Sequence, residues 1–219
     1  MKKIFLTLAL AAAAAVSASA QLSVGAGYSM NTATAVTDDN STQGQTAGFY
    51  VEGTINIPVT GALSLAPSLR YTFHSAKDAT SAALSSLAST TVEGTTTEHY
   101  VTVPVMARYN LDLGGAKVFA FAGPTFDFGL SSELKIDSTT SGSVLDAIGL
   151  SGSSTRTVDQ YGEDSNYKNF DILVGGGIGI QIGHIQAKAG YHYGLMDRDG
   201  SDKTKLNDAR IEAGLAFVF

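Results

Sequence analysis

The chain lacks cysteine and is poor in charge, and each shortage excludes a class of protein. Without cysteine, neither a disulfide framework nor a thiolate metal site can form. Charged residues make up 16% of the 219 residues, against roughly 25% in a typical soluble domain. The hydrophobic fraction of 44% is nevertheless too high for a disordered chain. A formal net charge of −6 argues against a nucleic-acid partner, because such proteins carry a basic surface.

The first twenty residues have the three parts of a secretory signal peptide. Lys2 and Lys3 are followed by the apolar stretch 4–16 and by the small residues Ala18-Ser19-Ala20. A membrane anchor would need about 20 apolar residues, which this stretch does not reach. We therefore expect cleavage before Gln21 and a single mature domain, residues 21–219. Beyond residue 20 the sequence contains no apolar run long enough for a membrane-spanning helix.

The mature sequence alternates apolar and polar residues with a period of two, which is the period of β-strands. In the last segment one face carries only apolar residues, namely Ala209, Ile211, Ala213, Leu215, Phe217 and Phe219. Similar patterns predict eight strands, at 22–30, 47–58, 62–74, 98–110, 116–129, 169–182, 185–196 and 208–219. In the fifth strand, Phe119 and Phe121 are out of phase with Phe126 and Phe128, which predicts a bulge near Gly123-Pro124.

Short and long connections alternate strictly between these strands. Thr60-Gly61, Gly114-Gly115 and Gly183-His184 predict tight turns, whereas the other connections are long and polar, at 31–46, 75–97, 131–167 and 197–206. Short turns at one end and long loops at the other are typical of an outer-membrane barrel. The alternative is a soluble barrel, in which the apolar face would point inward. The sequence favours an all-β fold, an eight-stranded antiparallel transmembrane up-and-down β-barrel in a Gram-negative outer membrane.

An eight-stranded barrel is just wide enough for side chains to fill it, so the polar faces predict its interior. Four acids and four bases lie on those faces, which are Glu52, Asp127, Asp171, Glu212, Arg70, Arg108, Lys188 and Arg210. Buried charges are tolerated when they are paired. We therefore expect a lumen ionic network that plugs the barrel, with an ion path or ligand cavity as the alternative.

Three motifs suggest chemistry, but each has a simpler interpretation. The glycine-rich segment 175–183 is followed by a strand and not by a helix, so a phosphate loop is excluded and lumen-facing glycines are expected. The acidic segment 197–202 lacks the full ligand pattern of a calcium loop and is expected to form an exposed turn. His74-Ser75 with Asp78 nearby is the one cluster that could serve an enzyme. We expect no catalytic residue, no metal and no cofactor.

The external loops 75–97 and 131–167 carry the remaining features. Short apolar patches at 82–87 and 144–148 suggest brief helices over the barrel mouth or a contact with a protein partner. The loop 131–167 has six acids against two bases. Acidic, Ser- and Thr-rich loops of this kind are typical of a solvated cover.

The signal peptide, the eight strands, Ala122-Gly123-Pro124 and the C-terminal Phe219 together resemble the small outer-membrane β-barrel families. The resemblance is greatest to PorT-like barrels and looser to OmpX- and OmpA-like barrels. It implies that Leu215, Phe217 and Phe219 form the signal read by the barrel-assembly machinery. It also implies contact with outer-membrane lipid and lipopolysaccharide, and a role in secretion.

The sequence as a whole favours a structural or interaction role over catalysis or transport. Membrane integrity, surface adhesion and support of a secretion or uptake complex all fit a plugged barrel with long external loops. A narrow porin-like channel is the second hypothesis, and a lipid-modifying outer-membrane enzyme is the third.

The proposed orientation predicts that protease added to intact cells reaches residues 131–167. The protease should cut within this segment while the barrel strands stay protected, because the long connections lie outside the cell. The fragments can be identified by mass spectrometry. Complete protection of this segment in intact cells, with cleavage after lysis, would show that the orientation is wrong.

Overall fold

The computed structural model describes residues 20–37, 40–85, 88–141, 152–162, 167–199 and 204–219, and it places nine β-strands in these ranges. They are β1 (Gln21–Val36), β2 (Ser41–Thr60), β3 (Leu63–Ser85), β4 (Ala88–Asp112), β5 (Lys117–Ser141), β6 (Gly152–Asp159), β7 (Phe170–Ile182), β8 (Ile185–Gly194) and β9 (Lys205–Val218). Within the same ranges, no helix has the length and apolar character needed to cross a membrane. The predicted signal peptide, apart from Ala20, lies outside the described residues and stays a prediction.

Eight of the strands form a closed antiparallel ring. Each strand pairs with the next along the chain from β1 to β5, and then β5 pairs with β7, β7 with β8 and β8 with β9. The ring closes because β1 also pairs with β9, for instance Ser23 with Val218. The predicted eight-stranded up-and-down barrel is confirmed.

Apolar and polar side chains lie on opposite faces of the strands, as the period of two predicts. In β2, Phe49 is 68% exposed on the outside, whereas its neighbour Tyr50 is 2% exposed inside the ring. In β9, Leu215 is 62% exposed and Glu212 is buried. An apolar face directed outward and a polar face directed inward is the arrangement of a membrane barrel, and it is the reverse of a soluble one.

The predicted bulge at Gly123-Pro124 is wrong. Strand β5 pairs with β7 without any shift of register from Lys117 to Phe128. Phe119 and Phe121 point into the lumen, where they are buried beside Met106. The register of β5 shifts instead against β4, between His99 and Tyr100, so that Leu130 is the extra residue. The phase change in the sequence therefore marks lumen aromatics and not a bulge.

Glycines on β7 make the space that these phenylalanines fill. Gly179 lies opposite Phe119 and Gly177 lies opposite Phe121 in the strand pairing. A Cβ atom on Gly179 would come within 2.2 Å of the Phe119 ring, and one on Gly177 within 2.6 Å of the Phe121 ring. The expectation that these glycines face the lumen is confirmed, and the pairing explains why they are glycine.

The three tight turns also depend on glycine. Gly61, Gly114 and Gly183 have φ angles of 48°, 84° and 57°, a left-handed region in which other residues are strained. They lie at one end of the barrel, which by the layout of outer-membrane barrels is the periplasmic end.

The long connections are largely strands, contrary to the expectation of loops. Strands β3 and β4 continue as a hairpin well past the ring, and β5 extends to Ser141 and pairs with the additional strand β6. The helix expected at 82–87 is wrong, because 82–85 belong to β3. The apolar patch at 144–148 lies outside the described residues. Serine- and threonine-rich sequence favours strands as readily as loops, because threonine is β-branched.

The close fit of glycine to phenylalanine predicts that Gly179→Val destabilises the barrel. Overpacking of this kind should lower the free energy of unfolding by about 1–3 kcal/mol. Adding Phe119→Ala to the same chain should restore part of the loss. Urea unfolding followed by heat-modifiable gel migration measures both. Ile180→Val, one residue away on the lipid face, is the control, and an equal loss there would contradict the packing.

Candidate functional site: the lumen and the outer sheet

The lumen contains charged side chains at three levels, with one cluster at the centre. Arg70 on β3 donates to Glu52 on β2 through Nε at 3.1 Å and through Nη2 at 2.8 Å. The same guanidinium donates to Glu212 on β9, with Nη2 at 3.0 Å from Oε1. Lys188 on β8 forms a further ion pair with Glu52, and the Tyr50 ring lies 4.1 Å from the Arg70 guanidinium. The cluster therefore crosslinks four strands through the inside of the barrel.

A second ion pair lies closer to the outer end. Arg210 on β9 contacts Asp127 on β5 across the lumen at 2.5 Å, and both side chains are buried. His74, fully buried, has its Nε2 3.0 Å from the Ser29 hydroxyl. Because the Arg70–Glu212, Lys188–Glu52 and Arg210–Asp127 ion pairs join strands that are not neighbours in the ring, the lumen resists flattening and collapse.

A third cluster closes the outer mouth, and sequence reasoning missed it. Arg198, from the connection between β8 and β9, is buried and pairs with Asp208. Its Nη2 donates to the Tyr161 hydroxyl at 2.9 Å, and its guanidinium lies 4.5 Å from the Tyr167 ring. Glu98 accepts hydrogen bonds from the nearby Tyr100 and Thr46 hydroxyls. The alternating pattern could have predicted that Asp208 and Glu98 face the lumen, because each lies an even number of residues from a lumen-facing neighbour on its strand. Arg198 lies outside the alternating pattern and could not be predicted in this way.

Two of the eight predicted lumen residues, Asp171 and Arg108, are buried and form no ion pair with any residue that the structure describes. Asp171 accepts backbone N–H groups of Ile172 at 2.7 Å and Met196 at 3.2 Å, so it caps the outer end of the strands. Arg108 contacts only neutral acceptors among the described residues. The expectation of one network of eight is wrong, because these two stand apart and the ion pairs of the other six fall into two separate groups. The other six form the ion pairs given above.

The candidate enzyme cluster does not assemble. His74 points into the lumen, and Ser75 points outward and donates to the carbonyl of Thr96 at 3.1 Å. Successive residues of a strand face opposite sides, so this pair cannot act together.

In the acidic segment 197–202, Asp197 accepts the backbone N–H groups of Asp199 and Leu206. No group of three or more metal-ligating side chains occurs in the described part of the chain.

The outer hairpins form a sheet that continues beyond the ring. Strand β2 leaves β3 at the Ala47–Ser75 pair, and β3, β4, β5 and β6 go on without it. Two ion pairs lie on the surface of this sheet, Lys77–Glu93 and Lys135–Asp137. Lys77 contacts Glu93 at 2.8 Å, which raises the pKa of Lys77, and a hydrogen bond from Thr155 lowers the pKa of Asp137.

The three residues of the proposed assembly signal lie on the outer face of the last strand and its end. Leu215, Phe217 and Phe219 are all exposed there. The Phe217 ring stacks on His184 at 5.4 Å and contacts Phe219 at 5.1 Å, edge to face.

One family of known proteins corresponds to this architecture. The family model described as outer membrane protein beta-barrel domain matches residues 13–200. No curated protein matches the chain. Among solved structures, Ail of Yersinia pestis is 12% identical, with a TM-score of 0.37 and 91% of this chain and 99% of Ail covered.

Two further solved structures have similarly low identity. Neisserial surface protein A is 12% identical, with a TM-score of 0.37 and 90% of this chain and 96% of that chain covered. The N-terminal barrel domain of OprF from Pseudomonas aeruginosa is 13% identical, with a TM-score of 0.32 and coverages of 88% and 97%. Similarities of this size do not transfer the functions of those proteins to this chain.

The cross-lumen contacts predict that Arg210→Ala destabilises the barrel. Loss of the guanidinium leaves Asp127 buried without a partner, which should cost about 3–5 kcal/mol. Heat-modifiable gel migration and urea unfolding measure the change. Arg156→Ala on the exposed strand β6 is the control and should leave stability unaltered. A double variant with Asp127→Asn and Arg210→Gln should recover part of the loss. Unchanged stability of Arg210→Ala would contradict a structural role for the pair.

Proposed function

Because the chain belongs to the outer membrane protein beta-barrel domain family, we propose that it is a surface interaction protein of the outer membrane. In this proposal, a closed barrel holds a β-sheet outside the cell, and the sheet binds partner proteins. The observation that carries the proposal is the extension of β3, β4, β5 and β6 beyond the ring.

The height of the extension supports a role outside the membrane. The β3–β4 pairing runs on from Ala76 opposite Thr96 to Ser85 opposite Ala88. At about 3.3 Å per residue, this is roughly 30 Å of strand beyond the point where β2 leaves. Even with strand tilt, a sheet of this length stands clear of the lipid.

The outermost strand has the properties of an edge that accepts another strand. Strand β6 pairs with β5 on one side, and it is the terminal strand of the described sheet. Its sequence, GSSTRTVD, is rich in small, polar and β-branched residues, and seven of its eight residues are exposed. An exposed edge strand presents unpaired N–H and C=O groups to an extended peptide, and main-chain hydrogen bonds then supply affinity.

The filled lumen supports an interaction role over a channel. Arg70, Arg198 and Arg210 are buried in ion pairs at three levels of the barrel. An open pore would need these contacts to separate, leaving charges without partners. The proposal is also non-catalytic, since His74 and Ser75 face opposite sides of β3.

Further parts of the proposal concern assembly and partners. We propose cleavage of residues 1–20 on export, and recognition of Leu215, Phe217 and Phe219 by the barrel-assembly machinery. Exposed apolar residues of the ring would contact membrane lipid and lipopolysaccharide. The resemblance to PorT-like barrels makes a component of a secretion or uptake complex one candidate for the partner.

Peptide binding to the β6 edge tests the proposal. A random-peptide display library is selected on the barrel in lipid nanodiscs, and affinities are measured for the selected peptides. Ser154→Lys places a charge on the edge strand, and edge lysines oppose strand addition. We expect about tenfold weaker binding to this variant. Bound peptide should also slow hydrogen exchange of β6 amides.

Ser138→Lys is the matched control, because Ser138 pairs directly with Ser154 but lies in the central strand β5. Its affinity should stay within about twofold of wild type. Equal losses in both variants would contradict edge recognition, as would an absence of selected peptides. Stable conductance steps from the wild-type barrel in planar bilayers would instead favour the narrow channel.

A further inference from the structure

Arg108 is a buried cation whose contacts are all neutral. It lies on the lumen face of β4 near the periplasmic turns, and it is 6% exposed. Its Nε donates to Asn110 Oδ1 at 2.7 Å, and its Nη1 donates to Gln186 Oε1 at 2.9 Å. The guanidinium carbon lies 3.5 Å from the centre of the Phe119 ring. These contacts fix the orientation of the guanidinium and leave its positive charge uncompensated.

The other buried charges cannot neutralise Arg108. The remaining lumen cations are committed to ion pairs with Glu52, Glu212, Asp127 and Asp208. Among the described residues, the buried acids without an ion pair are Asp171 and Glu98, which lie at the outer end and accept backbone or hydroxyl hydrogens. Asp112, near Arg108, is exposed and accepts the backbone N–H of Gly114. On β4, Arg108 is six residues beyond Thr102, the partner of Asp127, which is roughly 20 Å along the strand.

Arg108 is accessible to a ligand from the periplasmic end of the barrel. It lines a vestibule of about 500 Å³ together with Ser64, Asn110 and Lys117, and with the exposed Asp112. It also lines a much smaller cavity, of about 30 Å³, that lies between it and the Arg70 cluster. A ligand group entering from the periplasm therefore meets Arg108 at the inner limit of the vestibule, and only a water-sized space lies beyond it.

We propose that this vestibule is a binding site for a small oxyanion, with Arg108 as its main ligand. A guanidinium has five N–H donors, and the two bonds to Asn110 and Gln186 leave further donors for carboxylate or phosphate oxygens. Asn110 is itself held by Ser64, to which its Nδ2 donates at 3.0 Å. The residues that orient Arg108 are thus themselves held in place by hydrogen bonds. The site lies at the end of the barrel opposite to the outer sheet, so anion binding there is independent of the proposed peptide binding.

Titration of the isotope-labelled barrel in detergent micelles tests the proposal. Inorganic phosphate and acetate are added separately at constant ionic strength, and NMR shifts are followed for Arg108 Nε–H and the Gln186 side-chain amide. We expect saturable shifts at both groups. The tighter of the two anions identifies the phosphate or carboxylate class. Linear, non-saturating shifts with both anions would overturn the proposal.

Substitutions distinguish anion binding by Arg108 from a general electrostatic attraction of anions to the protein. Arg108→Gln should weaken anion binding at least about tenfold, whereas Lys77→Gln should change it by less than about twofold, because it removes the same charge from the exposed outer sheet at the other end of the barrel. An equal loss in both would overturn the site. Heat-modifiable migration shows whether Arg108→Gln folds. If it does not, Arg108→Lys keeps the charge, and undiminished affinity in that variant would exclude recognition by the guanidinium.

Discussion

The sheet of this protein closes on itself through the pairing of β1 with β9, and this closure governs its other features. In lipid, a backbone N–H or C=O group has no water to bind, so each must find a partner within the protein. The pairing of β1 with β9 provides this by removing both edges from the membrane region. Where β2 leaves β3 above Ser75, the sheet opens again. An open edge is tolerated there because the strands are in water, and it becomes available for recognition.

Closure also brings polar side chains from different strands together in the lumen. Each buried charge there needs an opposite charge from another strand as its partner. Arg70, Glu52, Glu212 and Lys188 come from four strands and form one cluster because the ring brings them to the same level. Ion pairs across the lumen join strands that share no backbone hydrogen bonds, such as β5 and β9 through Asp127 and Arg210. The barrel is therefore stabilised both by the hydrogen bonds of its closed sheet and by the ion pairs in its lumen. Among the buried cations of the described residues, Arg108 alone has no ion pair, and it lines the periplasmic vestibule.

The departures from the sequence-based expectations have physical reasons. Phe119 and Phe121 suggested a bulge because lumen positions are expected to be polar, yet β7 glycines opposite them create room for aromatic rings. The outer connections suggested loops because serine, threonine and glycine are common in both loops and exposed strands. Whether such a segment forms a loop or a strand depends on whether another strand pairs with it. Strand β5 pairs here with β4 and β6, and the paired residues are distant from one another in the sequence. Arg198 could not be placed because its segment has no period, and its burial depends on tyrosines from other connections.

The amino-acid sequence alone predicted a barrel with an apolar outside and a polar inside. An alternation of two is a local property, and most of the ring strands carry it regardless of their neighbours. The sequence also indicated which end has the tight turns, because Gly61, Gly114 and Gly183 adopt left-handed backbone there. The folded structure was needed to show which charges meet, which strands leave the ring and which side chains close the mouth. These depend on register and on contacts across the lumen, which join residues that no short-range pattern connects.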